Sequence, residues 1–173
     1  MQTIQIDEHR HSEAVLSILN EAITTSTALY DYTPRTLEMM TGWFEAKRKG
    51  GYPVIGVEDS SGQLLGFASY GAFRAWPAYK YIVEHSVYVD SRFRGRGVGR
   101  VLLKEIIEYA RSRDYHVLMG GIDTANKASI ALHEKLGFTH CATIQQVGFK
   151  FGRWLDLSFY QLILATPLHP MDG

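Results

Sequence analysis

One cysteine, Cys141, stands among 173 residues, so no internal disulfide can form and nothing in the chain asks for an oxidising compartment. Charge of a dominant sign is equally absent: eighteen Lys and Arg balance eighteen Asp and Glu, for a net charge of zero. Without an overall positive field the chain is not expected to gather nucleic acid or an anionic membrane surface, and any anion it binds must be held locally. No apolar run approaches the ~20 residues of a membrane-spanning helix. The N-terminus lacks a basic segment followed by an apolar one, so no export signal is expected and the simplest location is the cytoplasm. The histidines lack metal-site spacing such as His-Glu-x-x-His. His9-x-His11 alone is weak, so no metal is expected. What remains is ordinary globular composition, 46% hydrophobic and 21% charged, at a length that suits one domain over residues 1–173.

Periodicity divides the chain into alternating strands and helices. Thr3 to Ile6 alternates as a strand, and Val15, Ile18, Leu19, Ala22 and Ile23 recur at helical spacing. After a Thr-rich loop ending in Tyr30-Asp31-Tyr32, Thr33-Pro34 predicts the start of a second helix, with Leu37, Met40, Trp43 and Phe44 on its apolar face and Gly50-Gly51 as its stop. Pro53 to Glu58 and Leu64 to Ala72, separated by Asp59-Ser60-Ser61-Gly62, predict a hairpin. Tyr81 to Val89 predicts a long strand. From Val98 onward, Val101, Leu102, Ile106, Tyr109 and Ala110 share one helical face, and Val117 to Ile122 predicts a buried strand parallel to the one before that helix. Asn126 is a candidate cap for a helix that ends at Leu136-Gly137. Thr139 to Val147 and Leu155 to Leu164 predict two last strands around a connection from Gly148 to Trp154.

Between the long strand and the best-defined helix, Arg94-Gly95-Arg96-Gly97-Val98-Gly99-Arg100 packs three glycines and three arginines into one turn. Such a turn bends sharply, admits a ligand close to the backbone and aims N–H groups from a helix N-terminus, which together suit a phosphate. It lacks the Lys-Ser/Thr of a nucleotide-hydrolase loop, and Arg100 stands where a Rossmann fingerprint has its third glycine. The pattern Arg94-x-x-Gly97-x-Gly99 instead resembles the acyl-CoA pyrophosphate loop of the GNAT superfamily of N-acetyltransferases. Asn126-x-x-Ser129-x-x-Leu132-His133-x-x-Leu136-Gly137-Phe138 and the strand Glu84-His85-Ser86-Val87-Tyr88-Val89 extend the likeness. With Gly66 to Gly71 and Gly148 to Leu157, the chain resembles the phosphinothricin and methionine sulfoximine N-acetyltransferases over nearly its whole length.

The resemblance implies an α/β (α+β) GNAT fold, with a mixed, mostly antiparallel twisted sheet carrying helices on both faces. It implies acetyl-CoA as co-substrate, a small-molecule amine as acceptor, and a homodimer. The N–H groups from Gly95 to Arg100 would bind the CoA pyrophosphate, with Arg94, Arg96 and Arg100 adding charge or facing water. By the same likeness, the main chain of Val87, Tyr88 and Val89 pairs with the pantetheine arm, and Asn126 and Lys135 contact the cofactor. A protonated amine must lose a proton before it attacks, and Glu84 is the matching base, the alternative being a salt bridge to Arg74 or a lysine. A free N–H near Tyr88 suits the oxyanion. His133 stands where many superfamily members have a tyrosine and agrees with the branch. It can serve as the acid or as a packed helix histidine. Acceptor recognition falls to Arg74, as partner of a substrate carboxylate, with Ala75, Trp76, Glu84, His85 and Ser86 around it. Two alternatives remain open: a CoA-binding regulatory module without turnover, and acetylation of a protein N-terminus or an aminoglycoside.

Overall fold

The computed structural model describes residues 1–172. Its strands are β1 (Gln2–Gln5), β2 (Val54–Glu58), β3 (Leu64–Ala72), β4 (Ile82–Val89), β5 (Val117–Asp123), β6 (Thr139–Lys150) and β7 (Arg153–Ile163), and its helices are α1 (Glu8–Thr25), α2 (Leu37–Lys49), α3 (Val98–Ser112) and α4 (Lys127–Lys135). The strands form one sheet in the order β1-β2-β3-β4-β5-β7-β6, antiparallel at every junction except β4–β5. That exception is the expected βαβ unit, since α3 carries the chain from the end of β4 back to the start of β5.

Alternation along the strands sends side chains into two cores, one on each face. Phe67 and Val54 pack with Val15, Ile18 and Leu19 of α1 and Met40 and Phe44 of α2. Ala68, Tyr70, Val83 and Leu118 pack with Leu102, Leu103, Ile106 and Ala110 of α3 on the other face. On β4 the same alternation puts Val87 and Val89 against the α3 core and Tyr88 against the α1 core. Glu84 and Ser86 therefore face α1 and α2, whereas His85 faces α3 and α4.

Two boundaries differ from the sequence expectation. Helix α2 begins at Leu37, not at Thr33-Pro34, and its cap is Thr36, whose hydroxyl accepts the Met39 N–H at 3.3 Å. The cause lies in α1: the Asn20 amide accepts the Arg35 N–H at 2.7 Å and donates to the Arg35 carbonyl at 2.9 Å, which clamps the preceding residues outside the helix. Leu37 is consequently exposed rather than on the apolar face. The second difference is the 148–154 segment, which is almost all strand. Only Phe151 and Gly152 form the turn, at φ of 52° and 71°, a two-residue mirror-image turn that matches the strand twist. Among the described residues no helix is long and apolar enough to cross a membrane.

Candidate active site

Strands β4 and β5 pair only over Ile82–Val117, Val83–Leu118 and Glu84–Met119, then part. Strand β4 continues to pair with β3 as far as Val89, so from His85 onward its other edge has no strand beside it. Two glycines of β5 sit at the parting. A Cβ on Gly120 would lie 3.0 Å from His85 Cε1 and 3.4 Å from His133 Nε2, and one on Gly121 would lie 3.1 Å from Glu84 Oε1. Two glycines inside a strand pattern are the one local signal of this close approach. The cleft so opened holds two cavities, of about 420 and 290 Å³, that share Ala28, Val87, Tyr88, Asn126, Ser129 and His133 along their common wall.

The larger cavity runs from the parting to the N-terminus of α3, along Val87, Tyr88 and Val89 and past Arg94, Gly95, Gly97, Val98, Gly99 and Arg100. Gly95 and Gly97 take φ of 76° and 85°, and a Cβ on either would meet no atom within 4 Å. Glycine is therefore used there for backbone conformation and for the open space beside it. The first helical hydrogen bond is Val101 N–H to the Gly97 carbonyl, at 3.1 Å, which leaves the Val98, Gly99 and Arg100 N–H groups without a main-chain acceptor. The groove thus ends at a helix N-terminus prepared for an anion.

The three arginines divide. Arg94 is held in place, donating Nε to the Val89 carbonyl at 3.0 Å and pairing with Glu21 at 3.0 Å. The Arg96 guanidinium lies over the Phe93 ring, 5.4 Å from its centroid, outside the cavity wall. Arg100 lines the groove. Asn126 caps α4 through its Oδ1, which accepts the Ser129 N–H at 3.1 Å, and lines both cavities. Lys135 is exposed at the far end of α4 and reaches neither.

The smaller cavity is walled by Glu84, His85 and Ser86 of β4, by Gly120 to Asp123, and by the α1–α2 loop from Thr27 to Tyr30. Glu84 makes no ion pair within 4.0 Å among the described residues, so the salt bridge weighed from the sequence is not formed. Burial raises its pKa above the ordinary glutamate value, and the Arg74 charge works in the opposite direction. Arg74 acts from a distance: it lies in the exposed loop after β3 with its guanidinium over the Phe73 ring, and Arg74, Ala75 and Trp76 all stand outside the cavity wall. The Thr27 to Tyr30 loop, whose Tyr30 the family likeness ties to pocket size, forms part of that wall. It is shaped from the far hairpin by Lys150, whose buried ammonium donates to the Ser26 and Leu29 carbonyls at 2.8 and 2.6 Å.

His133 occupies the common wall of the two cavities and is buried against His85. Their Nε2 atoms are 2.9 Å apart and their rings stack at 5.1 Å between centroids. The other His133 nitrogen, Nδ1, lies 2.7 Å from the Ser129 carbonyl. Burial lowers the pKa of both histidines, that of His85 to about 3, its neighbour His133 adding to the effect. Glu84 and His133 therefore approach the parting from opposite faces of β4, one carboxylate and one neutral imidazole.

A helix N-terminus open to an anion, an unpaired strand edge leading away from it and a half-buried carboxylate at the end of that edge describe an enzyme that brings two substrates to one seam. Residues 14–138 match the acetyltransferase (GNAT) family, and the chain belongs to it. A methionine sulfoximine/methionine sulfone acetyltransferase of Pseudomonas paraeruginosa is 45% identical over 150 residues, 87% of either chain. Among solved structures, a candidate acetyltransferase of Acinetobacter baylyi is 56% identical with a TM-score of 0.98, covering 99% of this chain and 96% of its own. A phosphinothricin acetyltransferase of Sinorhizobium meliloti, solved with acetyl-CoA, is 30% identical with a TM-score of 0.93, over 98% of this chain and 91% of that one. The expected mixed, mostly antiparallel fold with helices on both faces is the one found.

Proposed function

We propose that the chain transfers the acetyl group of acetyl-CoA to the α-amine of a small amino-acid analogue, of which methionine sulfoximine, methionine sulfone and phosphinothricin are the leading candidates. The observation that carries this is Glu84: a carboxylate without an ion-pair partner among the described residues, raised in pKa by burial, in the wall of the smaller cavity, which the larger one adjoins. Acetyl-CoA supplies an activated thioester, and the residues of the groove suit its shape. The free N–H groups of Val98, Gly99 and Arg100, with the Arg100 charge, fit a pyrophosphate. The open edge of Val87 to Val89 fits an extended amide-bearing arm in the manner of an added strand.

At the parting, Glu84 takes a proton from the ammonium of the acceptor, directly or through a water, which frees the lone pair for attack on the thioester carbon. The C–S bond then breaks, the oxyanion returns to a carbonyl, and the CoA thiolate leaves as the thiol with the proton given up by the former amine nitrogen. Main-chain N–H groups on the open edge near Tyr88 offer a hydrogen bond to the oxyanion. Arg74, whose charge reaches Glu84 from the exposed loop outside the cavity wall, is the partner assigned to the acceptor carboxylate, with Ala75 and Trp76 beside it in the loop. The cavity of about 290 Å³ suits an amino acid rather than a large polycation. The partner is thus a small molecule, and the balanced charge offers nothing to nucleic acid. A second copy of this chain is the proposed protein partner. Ile144, Val147, Phe149 and Trp154 are exposed along the β6–β7 hairpin, whose β6 is the sheet edge. Light scattering should accordingly give twice the 19.6 kDa chain mass, and a monomer at micromolar concentration would remove the homodimer.

An acceptor screen tests the reaction. Purified protein, acetyl-CoA and each of a panel of amino acids and analogues are incubated while free thiol is followed. Thiol release with methionine sulfoximine, methionine sulfone or phosphinothricin is expected. Tight CoA binding without thiol release across the panel would contradict the proposal and leave a non-catalytic CoA binder.

A further inference from the structure

The His85–His133 pair is decided by counting protons. A carbonyl oxygen only accepts, so the 2.7 Å contact between His133 Nδ1 and the Ser129 carbonyl puts a proton on Nδ1. A neutral His133 then has a bare Nε2, and the 2.9 Å contact with His85 Nε2 requires the proton there to belong to His85. His85 in turn is left with a bare Nδ1, which is buried and makes no well-formed hydrogen bond among the described residues; the Met119 carbonyl beside the ring favours its charged form, and burial outweighs it. The surroundings favour neutral rings. Phe138 packs against both, at 5.2 and 5.0 Å between centroids, and Gly120 covers them from β5. The nearby carboxylates turn elsewhere: Glu84 lies on the opposite face of β4, and Glu134 meets the Tyr160 hydroxyl at 3.5 Å.

We propose that His85 is a positioning residue of the acetyl-transfer site: by donating its Nε2–H to His133 it fixes His133 as a neutral, Nδ1-protonated imidazole in the wall shared by the donor and acceptor cavities. Both His133 nitrogens are thereby occupied inside the protein. The ring presents an uncharged, immobile surface at the seam, and neither nitrogen offers a free proton to a leaving thiolate. Without the His85 donor, the His133 Nε2 lone pair is left bare in the wall, free to take a proton near neutral pH or to draw the ring out of place. Turnover should suffer while acetyl-CoA binding does not, because the pyrophosphate anchor at α3 is remote from the pair.

The kinetic part of this proposal rests on the acetyl-transfer reading, and the spectroscopic part does not. In nitrogen-15 NMR of histidine-labelled protein, His133 should carry its proton on Nδ1 and His85 on Nε2, with neither titrating between about pH 5.5 and 8. His85→Leu removes the donor; His85→Gln keeps one in its side-chain amide. The leucine variant should lose about tenfold or more in kcat with little change in the KM for acetyl-CoA, and its His133 should begin to titrate in that window, whereas the glutamine variant should recover most of the loss. A wild-type His133 protonated on Nε2, or titrating within the window, overturns the proposal, and so do equal losses in the two variants. If the wild type releases no thiol, the acetyl-transfer reading falls by itself and the NMR result still decides the proton arrangement.

Discussion

Single residues here owe their chemistry to what surrounds them more than to their type. Glu84 suits the proposed role of base because burial lifts its pKa while, among the described residues, no cation within 4.0 Å neutralises it, and Arg74, from an exposed loop, lowers it only in part. Since the base must be ionised to accept a proton, activity should rise with pH along a limb centred above the ordinary glutamate value of 4.5. Arg74→Ala removes the opposing charge, so that limb should move to higher pH. The KM for the amino-acid acceptor should also rise by about tenfold, as expected for the loss of one charge-assisted carboxylate contact. A pH–rate profile of the two proteins checks both effects. An unmoved limb would mean that the Arg74 charge does not reach Glu84 in solution.

Asn126 as a helix cap and the glycine segment as a turn into a helix could be read from the sequence because their neighbours in the chain carry the signal, a strand before, a helix after, a cap at fixed spacing, whereas Glu84 is pointed to only by the family resemblance. The His85–His133 contact could not be read in this way. It joins positions 48 apart on a strand and a helix that meet only in the folded protein. The Asn20 clamp on Arg35 is of the same kind, joining α1 to the entry of α2, and it overrode a helix start that Thr33-Pro34 announces locally. Lys150, reaching from the tip of β6 to the Ser26 and Leu29 carbonyls, gave no local hint of its bearing on the acceptor wall.

At the scale of elements, the site is a defect in a ladder put to use. β4 and β5 share only the pairs from Ile82 to Glu84, and the edge they then leave open is what an extended ligand can join. Helix α3 begins where that edge ends, with Gly97 as its left-handed cap. Gly97→Val forces a branched side chain into a φ of 85°, a strain of roughly 1–3 kcal/mol, and projects methyls into the space beside the free N–H groups. The KM for acetyl-CoA should rise by about tenfold or more while that for the amine changes little. Initial-rate kinetics with each substrate varied in turn separates the two, and equal effects on both would count against an anchor for the donor at this turn. The βαβ unit and the hairpins were legible because periodicity and turn residues write them locally. The extent of the β4–β5 pairing was not: just past its end, Gly120 and Gly121 leave room that a Cβ would take from His85, His133 and Glu84, side chains of other elements.

Across the whole molecule, the sheet divides two jobs between its faces. Helices α1 and α2 cover the face on which Glu84 lies, and α3 and α4 cover the face that carries the glycine turn and the histidine pair. The cleft crosses from one to the other only where the strands part, so donor and acceptor can meet at one place. That meeting at Glu84 is the central claim, and free-thiol release from acetyl-CoA in the presence of methionine sulfoximine measures it most directly. Wild-type protein should release one thiol for each acetylated amine, and Glu84→Gln, close in shape but unable to take a proton, should be slower in kcat by about a hundredfold or more with acetyl-CoA affinity retained. A glutamine variant that turns over at the wild-type rate across the pH range would contradict it.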